Sequence, residues 1–374
     1  MKSEVLIIGG GVIGLSIARE MHKSGARNIT IVERGNIGQE ASFAAAGMLA
    51  PNAETDEIDD FYRFCAESNR LYPQFAAELL EETGVDIELD RSGTLYMGFT
   101  ENDSAELKKR YDWQRRAGLN VEHLSSEETL AAEPFLSPEV RESLFFPNDW
   151  QVENRKLLVA LRKYSEINNI EVREGVEILE ILTYGENVIG AASNDEKFPA
   201  DTTILTTGAW TSLIKLGGTL VPVKIKPVRG QMISFHPPEK MFNRVIYSPR
   251  GYIVPRADGR ILAGATVEDV GFDKSTTEEG ISFLRCVASE IAPFLADLEI
   301  SDRWAGLRPF ADRGLPVIGE IAGFRNLIVA TGHYRNGILL APLTGKLVTK
   351  IVLPEPGATG IFAGVPSLGF KVQS

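Results

Sequence analysis

One short stretch restricts this chain more than any other: Gly9-x-Gly11-x-x-Gly14, set between an apolar run and an amphipathic segment. Val5-Leu6-Ile7-Ile8 is a short continuous apolar run, the pattern of a parallel strand buried on both faces. Ile13, Ile17 and Met21 then recur at helical spacing up to Gly25, and Ile29-Thr30-Ile31-Val32 supplies a second strand that ends at Glu33. The whole is a βαβ unit with its glycines at the strand-to-helix turn. Gly9 permits the tight turn, Gly11 lets the main chain approach a pyrophosphate, and Gly14 allows close helix-strand packing. The helix start offers free N–H donors, and Glu33 is placed to accept from ribose hydroxyls, which disfavours a 2′-phosphate. A dinucleotide is expected here.

Two further segments read as parts of the same site. Gly38 to Met48 (GQEASFAAAGM) is a run of small side chains where a surface loop is normally more polar. Small residues let the main chain approach a flat ring system, and Ser42 adds a hydroxyl; a small-residue helix packed on the sheet is the other reading. Late in the chain, Leu327-Ile328-Val329-Ala330 leads through Gly332-His333-Tyr334-Arg335-Asn336 into a helix from about Gly337. Such a helix start carries partial positive charge and suits a group that becomes anionic on reduction, although an ordinary glycine turn has the same local pattern.

Arg308, in Arg303-Trp304-Ala305-Gly306-Leu307-Arg308-Pro309, and Arg335 are the candidates for holding a substrate, because a planar guanidinium fork matches a carboxylate. Tyr252 lies in a strand-like run and either lends a hydroxyl to the same carboxylate or packs on a sheet face. Neither a Ser-His-Asp order nor a Walker loop is present. Oxidation of an amine needs a neutral amino group, an aligned Cα–H and an electron sink, so no side-chain acid or base is assigned.

Composition removes other classes. The net charge of -12 opposes attraction to polyphosphate or to an anionic membrane, so nucleic acid is not expected as a partner. Cys65 and Cys286 are far apart, and His22, His123, His236 and His333 are scattered, which indicates neither a disulfide framework nor a metal site. The apolar runs stop at Gly, Pro or charge before they reach membrane-spanning length. With the first strand beginning by Glu4, a cytoplasmic protein without a leader is expected.

Between the glycine-rich segments, residues 61–83 form a core-facing helical stripe with Pro73 marking a break or kink, and 102–117 an exposed helix. Ser125 and Glu128 have capping-box spacing. Residues 170–207 read as a small meander returning to a buried strand that ends at Gly208, and 222–267 as an antiparallel sheet. Gly360 to Ser374 lack periodicity and read as a tail.

With these motifs assembled, the chain from Glu4 to about Pro354 resembles the FAD-dependent D-amino-acid oxidase and glycine oxidase family, the glycine oxidases of the thiamine pathway most closely. The likeness rests on Val5–Gly14, Ser42–Leu49, Lys226–Gln231, Gly251–Arg256, Trp304–Pro309 and Gly332–Pro342. It implies an α/β fold in which a discontinuous Rossmann-like FAD domain (1–85, 146–221 and 303–374) joins an α+β substrate domain (86–145 and 222–302) built on an antiparallel sheet. It implies FAD contacts from Gly9, Gly11, Val12, Ile13, Gly14, Glu33, Arg34, Ala41, Ser42, Ala45, Ala46, Gly47, Met48, Val176 and Gly208, and from the loop His333, Tyr334, Arg335, Asn336, Gly337, Ile338 and Leu339. Tyr252, Arg308 and Arg335 would hold the substrate, with Met48 near the ring.

The reaction so implied takes a small amino acid to an imine, which hydrolyses to a 2-oxo acid and ammonia while O₂ becomes hydrogen peroxide; a homo-oligomer is implied too. No cysteine lies between Gly314 and Gly319, where relatives carry a flavin-linking one, so non-covalent FAD is expected. The chain departs from the family pattern at two pocket positions. Val267 stands where Met is expected, leaving room for a larger side chain or an N-alkyl group. Arg250 stands where His is expected, and either favours acidic substrates at the entrance or faces water. A dehydrogenase with another acceptor, or a non-catalytic subunit that keeps FAD as structure, are the competing readings.

Overall fold

The computed structural model describes residues 2–354; the expected tail lies outside them. Ser3–Ile8, with only Glu4 facing solvent, is the centre of a parallel array. It pairs with Ile29–Val32 on one side and Lys197–Leu205 on the other; Glu171–Arg173 and Leu327–Thr331 extend the array outward in the same direction. The expected meander is present as Glu180–Tyr184, Asn187–Ala192 and Lys197–Leu205, and with Lys215–Leu216, Thr219–Leu220 and Val317–Glu320 it completes a sheet of ten strands. One face is covered by the helices Val12–Lys23, Asp60–Thr83, Asn154–Ile167 and Gly337–Val352, whose apolar sides merge into a single core with Ile7, Ile31, Ile204 and Ile328. Burial of such side chains contributes roughly 1.5–3 kcal/mol each.

Pro73 does not break its helix. Asp60–Thr83 runs through it, with Phe64, Cys65 and Tyr72 buried before it and Phe75 and Leu79 after it. The proline forfeits one backbone hydrogen bond and clashes with the preceding turn, a cost of about 3 kcal/mol, which burial of this stripe offsets. The Tyr72 hydroxyl also donates to the carbonyl of Ile338. Both helix starts read from spacing are as expected: Glu101–Arg116 follows Thr100, and Ser126–Ala132 follows a reciprocal capping box between Ser125 and Glu128.

The second sheet has eight strands, in the order Ile300–Ala311, Ile225–Phe235, Ile261–Gly264, Gly251–Pro255, Val245–Ser248, Thr94–Gly98, Glu142–Phe146 and Glu122–Ser125. It is antiparallel over 222–267, as expected, and parallel only where Val245–Ser248 meets Thr94–Gly98. Ile300–Ala311 belongs to this sheet, although the sequence boundary put 303 onward with the first unit. The reason is a long ladder with Ile225–Phe235, running from Ile225 opposite Ala311 to Phe235 opposite Ile300. Helix Glu278–Ile291 packs on one face of the sheet. The other face carries Met232, Tyr247 and Tyr252 toward the small-residue run, where Ala46 and Ala50 meet it. No helix among the described residues is long and apolar enough to cross a membrane.

Candidate functional site

A cleft of about 1870 Å³, part of it open to solvent, runs from the ends of the parallel strands to the second sheet. Its lining joins the glycine turn and Glu33 at one end to Tyr252 and Arg308 at the other. The strand ends Ile8, Val32, Thr206 and Ala330 open onto it, which is the usual ligand position in a parallel α/β sheet.

Two helix starts meet here. Val12–Lys23 begins after Gly11 and Gly337–Val352 after Asn336, and neither cap residue bonds the first turn with its side chain. Their early N–H groups therefore present partial positive charge to the cleft. At the first, the Val12 N–H donates to Ser42 Oγ at 3.0 Å, which brings the small-residue run over the glycine turn. Glu33 is buried; its carboxylate accepts from Gly10 N at 2.8 Å and Gly35 N at 2.9 Å. A carboxylate has about four acceptor positions, so the two left over serve the cleft side.

The run from Ala41 to Met48 is one helical turn, Ala41–Ala44, followed by extended chain. The turn of helix packs beside Ile300–Ala311, and the residues after it line the cleft. Gly47 has φ 72°, and a β-carbon there would overlap the carbonyl of Val152. The fully buried Arg256 pins this segment by donating to Ala46 O at 2.9 Å and Asn154 Oδ1 at 3.0 Å. At the far end, Arg34 stacks 3.6 Å from the Trp210 ring centre and pairs with Glu40 at 2.6 Å.

The opposite end gathers Tyr252, Arg308, Arg335, Met48 and Val267. Arg308 donates to the Thr266 carbonyl at 3.1 Å, and neither it nor Arg335 touches a carboxylate among the described residues. Burial raises the Tyr252 phenol above its ordinary range despite the pull of both guanidiniums, so it remains a protonated donor. Glu54 raises Arg335 further, so that arginine stays charged. His333 is held at about 3 by burial and is neutral, its Nε2 3.1 Å from Thr344 Oγ1.

Three sequence candidates lie elsewhere. Arg250 does not reach the cleft: it sits in the turn before Gly251–Pro255, pairs with Glu290 at 2.5 Å and lies over Phe283, on the side where helix Glu278–Ile291 packs. Of its two readings, the outward one describes it. Gly14 is beneath the cleft, where a β-carbon would overlap Gly9 O, and Leu339 is in the core, its carbonyl taken by Ser68 Oγ at 2.6 Å. The remaining candidates from the glycine turn, the small-residue run, Val176, Gly208 and the His333–Ile338 loop line the cleft.

The sequence reading missed four contributors. Glu54 lines the cleft and accepts from Tyr247 Oη at 2.6 Å. Met232 lies 3.5 Å from Tyr252 Oη. Gly230 is bare because Arg308 occupies the space of its missing side chain, and Gly264 because Met232 and Tyr252 do. The motif Val228-Arg229-Gly230-Gln231 held a signal for one of these, since glycine inside a strand marks close approach of another group.

Among known proteins, the glycine oxidase of Pseudomonas aeruginosa is 35% identical over 354 residues, covering 94% of this chain and 95% of that one. The bifunctional protein ThiO/ThiG of Synechocystis sp. is 34% identical over 97% of this chain, which spans 54% of that protein. The crystal structure of glycine oxidase from Geobacillus kaustophilus superposes with a TM-score of 0.91 at 32% identity, over 100% of this chain and 98% of that one. The model of the family described as FAD dependent oxidoreductase matches residues 4–351. With its glycine turn, its two open helix starts and this match along nearly the whole described chain, the protein belongs to the FAD-dependent oxidoreductase family.

Proposed function

We propose that this chain oxidises glycine or a similarly small amino acid or N-alkyl glycine, using non-covalent FAD and passing the electrons to O₂. The observation that carries this reading is the end of the cleft where Arg308, Arg335 and Tyr252 meet with no carboxylate among the described residues touching either guanidinium. Glu54 offsets one of the two charges there, leaving the end net positive and matched to a single carboxylate. Val267 is 63% exposed and leaves the approach open, which suits an N-alkyl group as well as glycine.

The residues present fit FAD. Gly11 and the start of Val12–Lys23, whose first N–H donates to Ser42 Oγ, suit the pyrophosphate, and Glu33 keeps acceptor positions for a ribose. Ala45, Ala46 and Gly47 offer a low-relief surface for a ring system, and the open start of Gly337–Val352 favours negative charge at its tip. FAD, when bound, supplies the two-electron acceptor that no side chain provides. Arg308 and Arg335 would clamp the substrate carboxylate, the protonated Tyr252 hydroxyl would donate to it, and neutral His333 adds no charge beside the ring. We assign cofactor contacts mainly to the ten-stranded sheet and its loops, and substrate contacts mainly to the eight-stranded sheet, with residues 303–311 in the latter.

Anaerobic mixing with glycine, sarcosine, D-alanine and D-proline tests the reading: loss of the visible flavin band with at least one is expected, and none bleaching it would overturn the proposal. Readmitted air should then give one peroxide per turnover; its absence with a dye as acceptor would make the chain a dehydrogenase. We also propose, from the family resemblance, a homo-oligomer in the cytoplasm and a supply step in thiamine biosynthesis.

A further inference from the structure

The loop after Met48–Leu49 crosses to helix Asp60–Thr83 and is held unusually firmly. Asp149, with no exposed surface, accepts from the Asn52 N–H at 3.1 Å on each oxygen, from Asn52 Nδ2 at 2.6 Å and from the Ala53 N–H at 2.7 Å. From the other side Tyr62 Oη donates to Asn52 Oδ1 at 2.9 Å, and Gln114 Nε2 to Asn52 O at 2.8 Å. Arg110 donates to Ala53 O at 3.0 Å and Thr55 O at 2.6 Å. The residue so framed is Glu54, which faces the cleft and accepts from Tyr247, whose ring centre is 5.6 Å from that of Tyr252.

Asp149 forms no ion pair among the described residues. Burying a carboxylate without a cation is costly, and an apolar side chain would fill the space more favourably. What the carboxylate adds is acceptance of adjacent N–H groups from one loop. We propose that Asp149 is a positioning residue for the substrate end of the cleft: by holding Asn52 and Ala53 it sets where Glu54 stands and, through the Glu54–Tyr247 hydrogen bond, how Tyr247 lies against Tyr252. This rests on reading that end as the carboxylate site.

Burial pushes the Asp149 carboxyl up to about 7. The titratable groups facing it are Glu54 on the loop it holds and Tyr62 on the helix beyond; the strand Thr94–Gly98 offers only the neutral Thr94 hydroxyl. Protonation removes acceptor positions, so the loop loosens as pH falls through 7.

The test compares the parent holoenzyme with Asp149→Asn, which keeps the shape but turns an amide NH₂ toward N–H donors, and with Asn52→Ala, which keeps the carboxylate and removes one donor. Acetate, a carboxylate that is not oxidised, is titrated against the visible flavin band, and glycine kinetics are followed from pH 6 to 9. For Asp149→Asn the acetate Kd and glycine KM are expected to rise about tenfold, with kcat changed less than about twofold and FAD content unaltered. Asn52→Ala should give a smaller rise. The parent acetate Kd should climb from pH 8 to pH 6, a range over which acetate itself stays ionised, and that climb should vanish in Asp149→Asn. Unchanged Kd and KM in both variants would overturn the proposal, as would a joint fall of Tm, FAD content and kcat. Should the parent neither bind acetate nor turn over glycine, the carboxylate-site reading fails on its own. Amide exchange at Asn52, Ala53 and Glu54 then decides: faster exchange in Asp149→Asn at the parent's Tm supports the positioning role, and equal exchange ends it.

Discussion

The Arg308 guanidinium lies against the bare backbone of Gly230, where a β-carbon would overlap Nη1, Nη2 and Cζ. The two residues are brought together by the pairing of Ile225–Phe235 with Ile300–Ala311, which sets Gly230 opposite Gly306. Gly230→Ala must therefore push Arg308 aside without removing it. We expect the glycine KM to rise about tenfold or more, a hydrogen bond to a charged group being worth ~1.5–3 kcal/mol, while FAD content stays at the parent level. Steady-state kinetics beside a flavin-to-protein absorbance ratio check both halves.

Arg308→Lys should recover little of what Arg308→Ala loses. A lysine offers a point charge and cannot present two parallel N–H groups to a carboxylate. Both variants are expected to raise KM by about 10–100-fold with the flavin retained. A variant that lost FAD in proportion to activity would remove Arg308 from the substrate end.

Glu33 supports the glycine turn through Gly10 and Gly35 and faces the cleft as well. Glu33→Gln keeps the shape, but only one of its two terminal atoms still accepts: one of the bonds from Gly10 and Gly35 is weakened to a neutral pair and the other is replaced by an NH₂ facing an N–H. The expected result is weaker FAD retention on dialysis with KM for the amino acid unchanged once the flavin is restored. Fluorescence of released flavin measures it.

His333 makes stability depend on acidity. Its folded value, held at about 3 by burial, is below the ordinary imidazole value of 6.5, so the unfolded chain binds a proton that the folded chain refuses. Above about pH 6.5 the group contributes nothing to the slope; as pH falls from there toward 3 it subtracts up to about 1.4 kcal/mol per pH unit. His333→Asn should flatten the fall of Tm between pH 6.5 and 4 relative to the parent, whatever its offset at neutral pH. Thermal melts of the flavin-loaded proteins in that window show the difference.

What was legible in the sequence were features written over a few adjacent residues. The buried strand before Gly9, the acid after Ile29–Val32, the capping box at Ser125 and the strand-turn-helix around Gly332 all stand where the local pattern put them. Pro73 was read by its local cost alone, and the buried stripe on both sides of it outweighed that cost. Arg250 was placed at the pocket by the family resemblance, where His is expected, two residues before Tyr252. The turn between them sends Arg250 out to Glu290, while Tyr252 faces the cleft.

Sequence by itself determined that the chain makes a dinucleotide turn and carries arginines suited to a carboxylate, because glycine spacing and guanidinium geometry act at the scale of single residues. Only the tertiary structure decided which groups share the site. Glu54 owes its place to Asp149, and Arg308 its place to Gly230, through contacts between segments far apart in the chain. Strand register and loop anchoring set those contacts, and they depend on how two sheets pack against each other, which no window of neighbouring residues records.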